Sequence, residues 1–485
     1  VSDQRWDPSS TIGAVATPPG RGGIGVVRLS GTAALEAAAH LFRTGDGTAS
    51  GRVPPAIMRR HRAMIHGHLV DPKDGAAVDD ALLLVMPGPG SYTGEDVVEF
   101  HCHGSPTVLN AVLEACLALG VRLAEPGEFS LRAVRNGRFD LTQAEAVLHL
   151  VNAETTTAAK LAVAHLDGAL GRELAAMSAK LLGIAAPLEA AIDFPDDEVA
   201  IPDRRAIAEQ VSDALGEVSA LADSGRIGRR KVEGAVVTIA GPVNAGKSTL
   251  FNALLGRERA IVTPEAGTTR DVIEARLEIQ GLAVTLRDTA GLRTPSGLAE
   301  EIGVRLAQVA MDEADLILLL ADASQLDRWG RNGGMLSDRL GAAAGDVAVI
   351  NVLSKCDLVS AARLAEVLAE GAAEPSANPP IMVSAMTGTG LTMLREQIAE
   401  HLTGGDGHDS PARLLTTIRQ ERAVRSAAEH LAGALEAIRR AVPDDLLLVH
   451  IYSAMESLDE ARGAWSPDLR LSVIEEVFAR FCVGK

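Results

Sequence analysis

The residues best suited to chemistry lie in one octapeptide. Gly241-Pro242-Val243-Asn244-Ala245-Gly246-Lys247-Ser248 has the spacing GxxxxGK[ST] and runs on into Thr249. Such a loop turns its backbone amides toward a polyphosphate. Its lysine reaches the β and γ phosphates, and its serine hydroxyl can ligate Mg²⁺. The apolar run Val236–Ala240 precedes it and a helical stretch, Thr249–Leu255, follows. This is the strand, loop and helix context that puts phosphates at a helix N-terminus.

Four further segments follow in an order that narrows the nucleotide. Gly267-Thr268-Thr269-Arg270-Asp271 offers a threonine to Mg²⁺ and the γ-phosphate. In Asp288-Thr289-Ala290-Gly291, Asp288 can hold the metal through water and the Gly291 N–H can touch the γ-phosphate. In Ser354-Lys355-Cys356-Asp357, Asp357 can accept from guanine N1–H and the 2-amino group, which adenine does not offer. Ser384-Ala385 supports the base from its other side. The set predicts GTP with Mg²⁺ held by Ser248 and Thr269. Two departures stand out. Ser354 replaces the usual Asn of the guanine motif, which predicts that the amide's bridging reach is lost and the loop is braced more weakly. Leu292 occupies the place where Ras-like proteins carry a glutamine that orients the attacking water, so another group must do so.

Other reactive residues read less sharply. His101-Cys102-His103 resembles a metal site, but in a strand Cys102 points away from both histidines and no third ligand has suitable spacing. Cys482 is either a nucleophile or a buried, pocket-lining thiol. Arg413, Arg419, Arg422 and Arg425 form a locally basic stretch, read as a solvated helix face or a nucleic-acid contact.

The elements that must position these residues change texture along the chain. Short β-like runs such as Ile24–Leu29 and Ala81–Val85 alternate with Gly/Pro turns, and Ser105–Leu119 reads as a helix stopped by Gly120. Thr142 to Glu145 fits a capping box opening Ala/Leu-rich helices, with a break at Asp193-Phe194-Pro195. Apolar strands Ala235–Ala240, Leu316–Leu320 and Val347–Leu353 then alternate with helices, the rhythm of a parallel sheet. Helices return after Gly404. The expected organisation is an α+β domain at 1–124, a helical domain in two parts at 125–230 and 405–485, and a Ras-like α/β G domain inserted at 231–404.

Composition bounds the partners. With 46 basic and 64 acidic residues the net charge is −18, so the chain as a whole is no nucleic-acid coat. Aromatics at 3% argue against base-stacking platforms. Four scattered cysteines suit a reducing compartment, the N-terminus lacks signal-peptide character and the apolar runs are strand-length, so a cytoplasmic protein without membrane spans is expected.

Beyond these motifs the chain resembles the MnmE (TrmE) family of tRNA-modification GTPases over nearly its whole length. The resemblance rests on Ala16-Thr17-Pro18-Pro19-Gly20-Arg21-Gly22-Gly23, Arg28-Leu29-Ser30-Gly31, Tyr92-Thr93-Gly94-Glu95-Asp96 and Pro126-Gly127-Glu128-Phe129-Ser130. It continues through Asn136-Gly137-Arg138-Phe139-Asp140 to the terminal Phe481-Cys482-Val483-Gly484-Lys485. It implies an N-terminal domain that binds 5,10-methylene- or 5-formyl-tetrahydrofolate and forms a homodimer, with Arg28, Glu99, Arg138 and Lys485 in the folate pocket. Position 138 is usually Lys in that family, and Arg keeps the charge on a longer, planar group.

The resemblance further implies G domains that pair across the nucleotide in K⁺, the ion being ligated by Asn244 with Thr263, Glu265 and Thr268 closing over it. The water-orienting group would come from a Glu-x-Ile-Gly motif, here Glu300-Glu301-Ile302-Gly303, with Glu300 the candidate and Glu301 its rival. A flavoprotein partner, MnmG (GidA), would join in a heterotetramer to add an aminomethyl or carboxymethylaminomethyl group to C5 of the wobble uridine of tRNA. A ribosome-assembly GTPase is the competing reading, and a folate-binding scaffold with a decayed G domain a third. The single P-loop and the folate-type N-terminal residues speak against the second, and intact Lys247, Ser248, Thr269 and Asp288 against the third.

Overall fold

A computed structural model describes residues 9–45, 51, 54–55, 63–194, 203–242, 244–256, 273–288, 313–328, 347–371, 379–405, 410, 413–463, 477–478, 481 and 484. The chain divides into two compact units. Val1–Leu148, Leu166–Ala175 and Arg462–Lys485 form one, and His149–His165 with Ala176–Ala461 the other.

The first unit is built on a seven-stranded sheet. In chain order it contains β1 (Ile12–Val15), β2 (Ile24–Ser30), α1 (Ala34–Leu41), β3 (Phe42–Arg43), β4 (Ala63–Val70), β5 (Ala77–Met86), β6 (Val97–His103), α2 (Pro106–Ala118) and β7 (Arg122–Leu123). The strand order is β3-β4-β5-β6-β2-β1-β7, antiparallel except where β7 runs parallel to β1. The period of two separates the faces. Val27, Leu29, Val98, Phe100 and Cys102 join Leu109, Val112 and Cys116 of α2 in the core. Arg28 and Glu99, directly paired in the register, take the opposite face. Burial pushes the Cys102 and Cys116 thiols up to about 12, so neither is a nucleophile. Among the described residues, no three His, Cys, Asp or Glu side chains gather in a way that could hold a metal.

α3 (Glu128–Arg135) and α4 (Leu141–Val151) complete this unit with Val477, Phe478 and Phe481, which pack on Leu131, Val134 and Leu141. The expected capping box is displaced by two residues. The cap is Asp140, whose Oδ1 accepts from the Gln143 N–H at 2.9 Å, while Gln143 Oε1 accepts from the Asp140 N–H at 3.1 Å. Thr142 spends its hydroxyl on Asp140 Oδ1 at 2.6 Å. A carboxylate is the better acceptor at this position, and the reciprocal bond needs a side chain three residues on, which Gln143 supplies.

The remaining elements are α5 (Thr156–Leu166), α6 (Ala169–Asp193), α7 (Arg204–Asp223), α8 (Gly225–Glu233), β8 (Ala235–Ala240), α9 (Lys247–Leu255), β9 (Ile273–Ile279), β10 (Leu282–Asp288), β11 (Leu316–Asp322), β12 (Ala348–Ser354), α10 (Ala361–Gly371), β13 (Ile381–Met382), α11 (Leu391–Thr403), α12 (Ile418–Arg439) and α13 (Asp444–Arg462). The six-stranded sheet has the order β13-β12-β11-β8-β10-β9. It is parallel except at one edge, where β9 runs antiparallel to β10. The three strands read from sequence, β8, β11 and β12, are parallel as expected, and β9, which that reading did not include, joins β10 through a two-residue hairpin at Gln280 and Gly281, both at positive φ, 48° and 82°.

α6 has 25 residues and is long and apolar enough to span a membrane by length and composition alone, although Arg172, Glu173, Lys180 and Glu189 break its apolar runs. Leu174, Leu181 and Leu188, spaced by seven, are buried. α7, capped by Asp203, packs along α12, capped by Thr417. α8 links this helical layer to the sheet. Arg229 pairs with Glu421 of α12, while Arg230 pairs with Asp315 at 2.8 Å and donates to the Leu402 carbonyl.

Candidate functional site

The phosphate loop hangs from the centre of the six-stranded sheet. β8 lies between β10 and β11, and its apolar side chains are buried, so the strand end at Ala240 is held in place. Gly241 follows with φ +148°, and a Cβ there would run into the Leu320 carbonyl, so only glycine fits. Gly246 (φ +92°) is the N-cap of α9, and Asn244 also takes a left-handed conformation at φ 66°. The loop thus aims its amides and the N-terminus of α9 at one point.

Lys247 is buried, and its ammonium donates to the Gly241 and Pro242 carbonyls at 2.8 and 2.9 Å. The Ser248 hydroxyl donates to Asp288 Oδ2 at 2.7 Å, with Asp288 fully buried at the end of β10. Two residues forty positions apart, both read from sequence as magnesium-linked, therefore meet. A hydroxyl beside a carboxylate is a hard-oxygen donor pair that fits Mg²⁺.

The base side is tied to this loop from β12. The Ser354 hydroxyl lies 2.5 Å from the Ala245 carbonyl and 3.1 Å from that of Ala321. The expected loss of reach therefore does not occur: serine touches the phosphate loop directly because β11 and β12 deliver their ends side by side. What serine lacks is a second proton, since one O–H serves two carbonyls. Lys355, at φ 57°, donates to the Asn244 carbonyl and to Asp322 Oδ2, both at 2.7 Å. Burial pushes the Asp322 carboxyl up, but hydrogen bonds from Lys355 and Ser324 outweigh it and hold the group below the usual carboxylate range. Asp357 is exposed, as a group awaiting a base must be. Ser384 is buried; its Oγ accepts from the Thr387 N–H, and the preceding Val383 carbonyl accepts from the Cys356 N–H.

Replacing Ser354 with Asn supplies two amide protons for the two carbonyls. Ser354→Asn is expected to tighten GTP binding roughly three- to tenfold, the worth of one added hydrogen bond. Titration with a fluorescent GTP analogue checks this, and unchanged affinity would show that the single-proton bridge already suffices.

Thr263, Glu265, Thr268, Thr269, Thr289, Ala290, Gly291, Leu292, Glu300, Glu301, Cys482 and Lys485 lie outside the described residues.

On the first unit's sheet, Arg28 Nε donates to Glu99 Oε1 at 2.7 Å, and the Arg28 guanidinium sits 5.5 Å from the Tyr92 ring centre and 5.7 Å from that of Phe129. Its Nη1 donates to the Gly484 carbonyl at 3.2 Å. His101 Nε2 lies 3.2 Å from Glu99 Oε2. Arg138 instead donates to the Ser91 carbonyl at 3.1 Å, beside the turn that carries Tyr92. A carboxylate with spare lone pairs, an arginine and two aromatic faces suit a flat heterocycle with a donor edge, the chemistry of a pterin.

Sequence reasoning gave Tyr92 and Phe129 no role of their own, weighed His101 only as a metal ligand, and passed over Asp322. For Asp322 the signal was present: an acidic residue closing an apolar strand. In the basic stretch, Arg419 donates to the Glu460 and Ala461 carbonyls, and Arg425 pairs with Glu421. Arg419 thus ties α12 to α13, whereas the Arg425 pair lies within α12.

A phosphate loop at the end of a central strand, a buried lysine, a Ser248–Asp288 hydrogen bond and a Ser354–Asp357 segment tied to the loop are the arrangement of a P-loop GTPase. Residues 11–138 match the family described as the GTP-binding protein TrmE N-terminus, and residues 141–482 match the MnmE helical domain. The chain is 39% identical to the tRNA modification GTPase MnmE of Koribacter versatilis, over 98% of this chain and 99% of that one. It is 40% identical to the MnmE of Symbiobacterium thermophilum and 41% identical to that of Nitratidesulfovibrio vulgaris, each over 98% of this chain and 99% of the relative. The chain belongs to the MnmE family.

Proposed function

We propose that this protein hydrolyses GTP, dependent on K⁺, to drive opening and closing of paired G domains while it modifies tRNA with a flavoprotein partner of the MnmG (GidA) type. The product is an aminomethyl or carboxymethylaminomethyl group at C5 of the wobble uridine. The observation that carries this reading is family likeness spanning 98% of the chain, so that both the folate-type unit and the nucleotide unit have counterparts. Arg28, Glu99, Arg138 and Lys485 would hold the tetrahydrofolate derivative, which supplies the one-carbon unit when bound. An acidic protein of net charge −18 grips tRNA through its partner more than through its own bulk field.

In the nucleotide site, Lys247 turns from the Gly241 and Pro242 carbonyls to the β and γ phosphates, and the loop amides donate to the remaining phosphate oxygens. Ser248 and Thr269 would hold Mg²⁺, which neutralises phosphate charge. Asn244, with Thr263, Glu265 and Thr268, would hold K⁺. Its exposed amide offers a neutral oxygen of the right hardness, and its main-chain carbonyl is already anchored by Lys355. Asp357 reads the guanine edge.

The reading is tested by steady-state GTP hydrolysis in K⁺ against Na⁺ at equal ionic strength. At least about a tenfold higher rate is expected in K⁺, the scale of one electrostatic contribution to the transition state. Equal rates in the two salts would remove the ion from the account.

A further inference from the structure

Lys355 is a charged residue in a left-handed backbone conformation. Its ammonium bridges the Asn244 carbonyl of the phosphate loop and the Asp322 carboxylate, each at 2.7 Å. Asp322 is 3% exposed and stands opposite Ser354 in the β11–β12 register. Its other oxygen is fixed by the Ser324 N–H at 2.9 Å and the Ser324 hydroxyl at 2.7 Å, and Gln325 Nε2 approaches Oδ2 at 3.3 Å. With the Lys355 ammonium, four donors converge on a carboxylate that no reacting atom needs to touch. Its neighbour across the sheet, Ser354, has one proton for two carbonyls, so the neutral tether between the loops is half-satisfied. The charged tether is the stronger of the two.

We propose that Asp322 is a positioning residue for guanine recognition. By holding the Lys355 ammonium against the Asn244 carbonyl, it locks the Ser354–Asp357 segment to the phosphate loop, so that base and phosphates are read in one geometry. The same lock presents Asn244 in its left-handed conformation. Without the carboxylate, Lys355 loses its counter-charge, the loop shifts, and Asp357 is no longer held at the guanine edge. The inference rests on this loop as the guanine site.

The test uses the full chain and measures GDP and inosine diphosphate affinities by competition against a fluorescent GDP analogue. Inosine lacks the 2-amino group that Asp357 contacts. Asp322→Asn is expected to weaken GDP binding about tenfold or more, as losing one partner of a buried charged pair does. It is also expected to narrow the preference for GDP over inosine diphosphate. Lys355→Met should have a similar effect, and the double variant should be no worse than either single one, because both break one link. Ser324→Ala, an exposed position that leaves the fold intact, should weaken GDP binding a few-fold. Unchanged affinity in Asp322→Asn and Ser324→Ala, losses that simply add in the double variant, or an unaltered GDP preference would overturn the proposal. Should Asp322→Asn fail to fold, Ser324→Ala decides alone. A wild-type chain that does not bind GDP would instead overturn the nucleotide site itself.

Discussion

Replacing Glu300 with alanine is expected to leave GTP affinity within about twofold of wild type and to lower K⁺-stimulated hydrolysis by about a hundredfold, the usual scale of losing a group that orients or deprotonates the nucleophile. The argument begins with Leu292. It follows Asp288-Thr289-Ala290-Gly291 directly, where a glutamine would place water in line with the γ-phosphate, and a leucine has no polar atom to do so. A carboxylate from elsewhere must reach that water. The segment Glu300-Glu301-Ile302-Gly303 follows further along the sequence and offers two. Position within the motif favours Glu300. Glu301→Ala is the control and should retain most of the activity. Single-turnover hydrolysis with a filled nucleotide site separates chemistry from binding. Full activity in Glu300→Ala with loss in Glu301→Ala would move the role by one residue.

Replacing Lys247 with alanine acts on the other side of the ledger, binding rather than turnover. In the described structure this ammonium is buried and donates to the Gly241 and Pro242 carbonyls, a charge held in place for a polyanion. Bound nucleotide replaces two neutral acceptors with charged phosphate oxygens, and charge-assisted hydrogen bonds are about twice as strong as neutral ones. Lys247→Ala should weaken GTP and GDP at least about a hundredfold, within the range seen when one member of a buried charged pair is removed. Lys247→Arg should not restore binding, because the planar guanidinium is larger than the point charge that the loop encloses. Calorimetric titration with GDP reads both variants, and near-wild-type affinity in Lys247→Ala would mean that the loop amides alone hold the phosphates.

Much of the site was legible because its chemistry is local. Gly241 to Ser248 are contiguous, and strand and helix flank them as any phosphate loop demands, so β8 begins and ends where the apolar run does. The helix Pro106–Ala118 and its stop at Gly120 followed equally from short-range rules. What escaped depends on contacts across the fold. Asp322 acquires a role only when β11 sets it beside Ser354 and Lys355. Tyr92 and Phe129 matter because separate segments bring their rings to Arg28. The antiparallel β9 hung on two residues, Gln280 and Gly281, whose positive φ values a strand rhythm does not reveal. The cap at Asp140 was missed by two positions because several residues there can cap, and the reciprocal bond with Gln143 decides among them. The shortened reach expected of Ser354 was a statement about side-chain length, overturned by how closely the backbone approaches.

The central claim is that this GTPase serves tRNA modification, and the nucleosides of tRNA report on it directly. Total tRNA from cells lacking the gene, digested and analysed by mass spectrometry, should lose the aminomethyl and carboxymethylaminomethyl uridines of the wobble position. The wild-type chain should restore them and the Glu300→Ala chain should not. Wobble uridines that stay fully modified without the gene would contradict the account.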